Sequence, residues 1–263
     1  MDNHELLVDL HRGGRRQGPG GDPETRLAVT LSGLGGATGL RIADIGCGSG
    51  AAALVLAREL DARVTAVDIF PAFLAELAAA AERSGLGGRI ETVAAPMEAL
   101  PFAERAFDAI WSEGAIYNMG FASGVKAWRR FLKPGGILAV SELTWLTQDR
   151  PEELERHWMR EYPEVGTASA KIAVLEESGY TPIGYFPLPE RCWLDNYYRP
   201  LEARFAAFLA RHGHSAEASA IVAAERGEIA LYERHAAHVS YGYYVAKYTG
   251  GLTPSAPGGW RAR

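Results

Sequence analysis

Only two cysteines, Cys47 and Cys192, occur in 263 residues. No disulfide framework can therefore hold this fold, and a reducing cytoplasm is the expected compartment. No apolar run approaches the roughly 20 residues needed to cross a bilayer. Basic residues are not in excess: 27 Lys and Arg stand against 32 Asp and Glu, a formal charge of −5. That balance argues against nucleic acid or an anionic membrane as a partner, because affinity for either draws on surplus Lys and Arg. The first ten residues are acidic and lack the basic-then-apolar order of a secretory leader. No internal repeat is present. The composition, 48% apolar and 22% charged, excludes a mainly disordered or fibrous chain. Glycine is in surplus, with 30 residues, and its placement is informative.

The stretch 12–21 is glycine-rich without apolar periodicity and reads as a mobile loop. Asp22-Pro23-Glu24 reads as a helix start, with a proline in the first turn between two acids, and the helix runs to about Gly33. From Leu40 onward short apolar runs alternate with helical patterns. Strands are expected over 40–45, 63–67, 89–94, 107–112 and 137–142. Helices are expected over 51–60, 71–84 and 122–132, the last stopped by Lys133-Pro134-Gly135-Gly136. This alternation predicts an α/β fold, a parallel sheet with helices on both faces. Further on, helices over 151–162 and 168–178 precede a strand over 181–188. A helical pair over 200–212 and 216–238 leads to an aromatic strand, Tyr241 to Tyr248. The pair is too long for an ordinary connection and reads as a helical cap inserted before the last strand. The expected organisation is one domain over 1–248: an N-terminal lid and helix (1–35), a core (36–190), the cap (191–238) and the last strand (239–248). The Gly- and Pro-rich tail, 249–263, is expected to be disordered.

The chemistry concentrates in the turn Asp44-Ile45-Gly46-Cys47-Gly48-Ser49-Gly50, which follows a strand and opens a helix. Glycines there let the backbone approach a ligand, and a helix N-terminus favours polar or anionic groups. The pattern formally satisfies the dinucleotide fingerprint as well. Two acids narrow the choice. Asp44 precedes the turn and would meet a cationic amine rather than a pyrophosphate. Asp68 ends the second strand and can accept both hydroxyls of a ribose, with Ile69 beside it. A ligand with a ribose and a cationic amino acid portion fits S-adenosylmethionine better than a nicotinamide cofactor. Cys47, inside the turn, reads as a small filler rather than a nucleophile.

These residues resemble the class I S-adenosylmethionine-dependent methyltransferases. Asp44 to Gly50 is similar to that family's first motif, and Val67-Asp68 to its ribose-binding acid. Leu100-Pro101-Phe102, Phe107-Asp108 and Leu132 to Gly136 follow in the family's order. The segments Arg16 to Gly20, Trp111 to Asn118 and Trp158 to Pro163 resemble a bacterial subgroup of small-molecule methyltransferases. The resemblance implies a Rossmann-like, seven-stranded, mostly parallel sheet with an antiparallel last strand. It also implies S-adenosylmethionine as cofactor, S-adenosylhomocysteine as product, and a lid of Arg16, Gln17 and Gly18 over the cofactor carboxylate. Where many members carry an acid for the adenine amino group, this chain has Pro96 and Met97. Met97 can pack on the adenine face, leaving the amino group to a backbone carbonyl or another side chain.

Methyl transfer from a sulfonium needs alignment and exclusion of water more than a fixed catalytic signature. Open α/β sheets bind ligands beyond the C-terminal ends of their strands. Ser112 and Glu113 stand there and are expected at the methionine end of the cofactor. Tyr117 and Asn118 are expected to orient the acceptor, and Glu142 to hydrogen-bond it or take its proton. Trp145, Trp193 and Tyr197 are candidate walls of an acceptor pocket suited to an amine or a phenol. The expected partner is a small molecule, with no nucleic acid, no membrane and no metal, and the chain is expected to work as a monomer or homodimer. His212, His214, His235 and His238 lack a diagnostic metal spacing. The residues also leave open a cofactor-binding sensor or partner subunit, and a nicotinamide-dependent oxidoreductase.

Overall fold

The computed structural model describes residues 3–250. Most of the expected tail lies outside the described residues. Thr249 and Gly250 are described, and their amides both donate to the Gly179 carbonyl.

Ten helices and eight strands alternate along the described residues. The first half runs α1 (Asn3–His11), α2 (Asp22–Ser32), β1 (Leu40–Ile45), α3 (Ala51–Glu59), β2 (Ala62–Asp68), α4 (Pro71–Arg83), β3 (Ile90–Ala94), β4 (Phe107–Glu113), α5 (Phe121–Trp128) and β5 (Leu132–Trp145). The second half runs α6 (Glu152–Glu161), β6 (Gly166–Thr167), α7 (Ala168–Glu177), β7 (Tyr180–Pro187), α8 (Glu190–Trp193), α9 (Arg199–Arg211), α10 (Ala216–His235) and β8 (Val239–Tyr248). The sheet order is β3-β2-β1-β4-β5-β8-β7. Strands β3 to β5 pair in parallel, and β8 runs antiparallel between β5 and β7. The fold is the Rossmann-like arrangement expected, with one strand more: two-residue β6 pairs with the end of β5.

Strand periodicity divides the side chains into two cores. Ala109 and Trp111 of β4 join Leu56 of α3 and Ala28 of α2 on one face. Ile110 on the other face joins Val125 and Trp128 of α5 and Leu175 of α7. A third cluster lies at the C-terminal end of the sheet, where α1, α6, α9 and α10 pack around Trp193, Tyr198 and Tyr232. This is the cap.

Three local expectations are corrected. Lys133 to Gly136 does not stop a helix cleanly; it bulges within β5. Phe107 pairs with Leu132 but Ala109 with Ile137, so four residues are looped out opposite Asp108. The Lys133 ammonium caps that bulge on the Asp108 carboxylate at 2.7 Å. The glycine-rich segment before α2 is packed rather than mobile, with Gly14, Arg16 and Gly20 buried. Helix α1 is not anticipated by the sequence pattern. Nine residues are too few for a helix to persist alone. It is held by burial of Leu6 and Leu10, worth about 2 kcal/mol each, and by Asp9, which accepts from Arg211 and His212 at 2.8 Å.

Candidate active site

A cavity of about 700 Å³ opens at the C-terminal ends of β1, β2 and β4. One side is the glycine turn. Gly46, Cys47 and Gly48 line it, while Gly50 begins α3 behind them. Gly48 sits at φ +53°, and any Cβ there would collide with the Gln17 side chain. That collision records how closely the preceding segment lies on the turn. Gln17 Oε1 accepts from the Ser49 amide (2.8 Å), and its Nε2 donates to the Gly14 carbonyl (3.0 Å). Arg16, Gln17 and Gly18 all line the cavity. The expected lid is thus a strap clamped to the turn.

Asp68 lines the same cavity. Its two oxygens accept from the amides of Gly48 (2.8 Å) and Phe70 (2.9 Å). The amides fix the carboxylate's orientation and leave its remaining lone pairs for a ligand. Burial nevertheless raises its pKa. Ile69, Phe70, Phe73, Pro96 and Met97 form an apolar wall beyond it. The Met97 carbonyl accepts from Trp128 Nε1, so that backbone oxygen is already engaged. Glu98 also reaches this wall.

At the opposite end Asp44 is 1% exposed, lines the cavity, and has an oxygen, Oδ2, with no hydrogen-bond partner. Burial pushes its carboxyl up to about 8, helped by the nearby charge of Glu113 and opposed by the Ala53 amide and Arg16. A buried carboxylate without a counter-charge is costly, and a ligand cation would supply one. Glu113 also lines the cavity, but its oxygens are taken. Oε2 accepts from Arg16 (2.7 Å), and Oε1 from Thr25, Trp111 and Tyr243 at 2.7 to 3.2 Å. Its work is therefore to hold the Arg16 guanidinium in place.

The remaining candidates divide. Tyr117, 42% exposed, and Asn118 line the cavity. Asn118 Nδ2 donates to the Ala115 carbonyl at 3.0 Å. Ser112 is a correction: it is fully buried and lies off the cavity, because alternation along β4 turns it to the face opposite Glu113. Glu142, also a correction, is 1% exposed and is not part of the cavity wall. One of its oxygens accepts from the Leu143 amide and Oε2 has no partner. Burial raises its carboxyl to about 7, against the pull of the Lys171 charge. Trp145 and Trp193 are corrected too. Trp145 is cap core under the Arg150 guanidinium. Trp193 stacks on Tyr232 at 4.5 Å and donates to Ser240. Tyr197 stands one layer back, stacked on His11. His4, Leu7, Val8 and His11 of α1 form the wall instead. Their only sequence signal was a short apolar cluster, Leu6 to Leu10, too brief to establish a periodicity. The cap histidines are engaged locally: His212 with Asp9 and His235 with Glu153.

Comparison with known proteins bears on this geometry. A family profile described as a methyltransferase domain matches residues 43–140. The ubiquinone/menaquinone biosynthesis C-methyltransferase UbiE of Geobacter sp. (strain M21) is 30% identical over 170 residues, which cover 63% of this chain and 70% of that protein. The chain spans only 36% of the length of a sterol 24-C-methyltransferase of Gibberella zeae that it also matches. Among solved structures, a methyltransferase from Geobacter sulfurreducens in complex with S-adenosylhomocysteine superposes with a TM-score of 0.80 at 19% identity, over 92% of this chain and 97% of that one. The [4+2]-cyclase SpnF superposes with a TM-score of 0.70 at 22% identity, over 93% and 91% of the two chains. At such identities the superpositions speak for the fold alone. Among the described residues, no helix is long and apolar enough to cross a membrane.

Proposed function

The chain belongs to the class I S-adenosylmethionine-dependent methyltransferases, and from that premise we propose that it methylates a small molecule, an amine or a phenol, bound beneath the helical cap. The carrying observation is Asp44, a buried carboxylate with a free oxygen on the floor of the cavity. Its free oxygen suits the cationic amino acid end of the cofactor. The other groups fall into order along the cavity. Asp68, oriented by two backbone amides, receives the ribose hydroxyls. Ile69, Pro96 and Met97 enclose the adenine. Gly46, Cys47 and Gly48 allow close backbone approach. Arg16, set by Glu113, faces the carboxylate together with Gln17 and Gly18. Tyr117 and Asn118 orient the acceptor.

S-adenosylmethionine, when bound, supplies a methyl group on a sulfonium, already activated for in-line displacement. The protein then has three tasks: to bind, to align and to keep water out. The strap and α1 close the cavity on the solvent side. The test is calorimetry with S-adenosylmethionine and S-adenosylhomocysteine. Micromolar binding of both is expected, and Asp68→Ala should weaken each by at least about tenfold. Absence of binding to the wild-type chain would remove the proposal.

A second reading keeps the cofactor and omits the transfer, as a sensor or partner subunit. Burial of Trp193 and Tyr197 in the cap argues against a cap that meets another protein through those rings. Production of S-adenosylhomocysteine in the presence of an acceptor mixture separates the two.

A further inference from the structure

The strap separates the active-site cavity from a second hollow of about 520 Å³. Arg16, Gln17 and Gly18 line the first, whereas Gly13, Gly14 and Arg15 line the second. Ala51, the first residue of α3, borders both. Strands β1, β2 and β3 are successive neighbours in the sheet. Right-handed crossovers between them therefore set α3 and α4 side by side on one face, pointing the same way. Helix α3 turns Ala51, Leu54, Val55 and Arg58 to the hollow. Helix α4 turns Glu76, Ala79, Ala80 and Arg83 to it. Both stripes follow the spacing i, i+3, i+4, i+7, so each is about 10 Å long, and each ends in an arginine. Ser49 and the strap stand at the opposite end.

The charges on this hollow do not cancel. Both of its acids are engaged elsewhere. Asp22 pairs with Arg15 and Arg16. Glu76 pairs with Arg12 at 3.6 Å and accepts from the Gly13 amide at 3.3 Å. Arg58 and Arg83 are exposed, and among the described residues neither makes an ion pair. A cation in the last turn of a helix is favoured by the helix dipole. That accounts for each arginine singly; it does not account for an apolar hollow that leads to both. The hollow also touches the active site through one residue. The Ser49 hydroxyl donates to the Gly14 carbonyl at 3.0 Å, and the Ser49 amide donates to Gln17 Oε1 at 2.8 Å. Ser49 is thus bonded to strap residues on both sides of the divide.

We propose that the hollow between α3 and α4 is a second ligand site, for a small amphipathic anion. Its phosphate or carboxylate lies across Arg58 and Arg83, and its apolar body lies on Leu54, Val55, Ala79 and Ala80. Neither methyl donor nor methyl acceptor uses this hollow, so the site goes beyond the methyltransferase reading. A guanidinium fork matches an anion with two or more oxygens, and such charge-assisted bonds are the strong ones. One anion between the two arginines also relieves the repulsion of like charges at the same end of the hollow. The apolar floor selects against a bare hydrated ion, which gains nothing from Leu54 and the alanines, and in favour of a ligand that covers them. An occupant touches Gly13 and Gly14 and holds the strap down on the glycine turn. Binding there and binding in the active-site cavity therefore favour one another, by the same factor in either direction.

The experiment uses the full chain with octyl phosphate, octanoate and octanol as probes, each below its aggregation concentration. Calorimetry should find at least one of the two anions bound about tenfold or more tightly than octanol, the scale of a charge-assisted contact. Which anion it is identifies the head group. The matching anion without the apolar body, inorganic phosphate or acetate, should bind about tenfold or more weakly than its octyl counterpart. The double variant Arg58→Gln, Arg83→Gln should lose the preference for the anion and keep its S-adenosylhomocysteine affinity. In the wild type, saturation with the favoured anion should tighten S-adenosylhomocysteine binding by about fivefold or more. Equal binding of the anions and octanol, no binding of any probe, an undiminished preference in the double variant, or a bare anion bound as tightly as its octyl form overturns the site. Competition between the anion and S-adenosylhomocysteine overturns it as well, by placing the anion in the active-site cavity. Unchanged S-adenosylhomocysteine affinity overturns the coupling through the strap. Failure of the wild type to bind S-adenosylhomocysteine overturns the methyltransferase reading, while the anion preference still decides this site.

Discussion

Asp44 carries two opposed demands. Its carboxylate is buried with one oxygen unpartnered, which costs stability, and the same free oxygen is what a cationic ligand group requires. Burial, with the Glu113 charge behind it, raises its pKa from 3.8 to about 8. Asparagine keeps the shape and removes the ionisation. Asp44→Asn should weaken S-adenosylmethionine binding by about tenfold or more, the scale of one lost charge-assisted contact. The same variant, without ligand, should melt higher than wild type at about pH 9, where wild type must carry the buried charge. Matched melting curves with and without ligand check both halves. A variant that melts lower at that pH would mean that Asp44 is internally satisfied. Asp44 and Asp68 were legible in the sequence because each sits at a strand end beside a glycine turn, a position set by local geometry. The saturation of Glu113 by four donors was not. Its partners come from residues 16, 25, 111 and 243, and most of those separations are far beyond any periodicity.

Among the elements, α1 and the strap supply one side of the cavity. Helix α1 docks on the cap through Leu6, Leu10 and Asp9, and its other face supplies cavity wall. Leu10→Ala removes a fully buried side chain at a cost of about 3 kcal/mol. A nine-residue helix held mainly by Leu6, Leu10 and Asp9 should open locally, so much of that cost should appear there rather than as global unfolding. Amide exchange over 3–11 should accelerate by about tenfold or more, and S-adenosylhomocysteine should dissociate faster. Unchanged exchange in this segment would mean that α1 is not a separable lid. The core strands and helices were readable because their apolar periods are long and end at Gly, Pro or an acid. Helix α1 was not, since its stability is tertiary. Lys133 to Gly136 misled for the same reason. Its glycines signal a break, and only pairing across β4 makes that break a bulge inside a strand.

For the molecule as a whole, buried acids couple stability to pH. Asp44, Glu142 and Glu225 all titrate higher in the fold than free, at about 8, 7 and 7, with burial as the leading cause of each. Between their free and folded values the native state binds more protons than the unfolded chain. Stability is therefore fully present below about pH 4 for these groups and is lost as pH rises through about 7 to 8. The ligand-free protein should lose melting temperature between about pH 4 and 8, and S-adenosylhomocysteine should offset part of that loss. Calorimetric scans across this range check it. A flat profile would show that other groups offset these three.

The sequence by itself determined the alternating α/β plan, the glycine-rich strand-turn-helix flanked by Asp44 and Asp68, and the intrusion of a cap before the last strand. Each is written in short-range patterns: period, glycine placement, an acid at a strand end. The tertiary structure alone decided which side chains face the cavity. It turned Ser112 away, withdrew Trp145 and Trp193 into the cap core, and put α1 where those aromatics were expected. The reason is physical: a local pattern says which face of an element is buried, but only packing says against what.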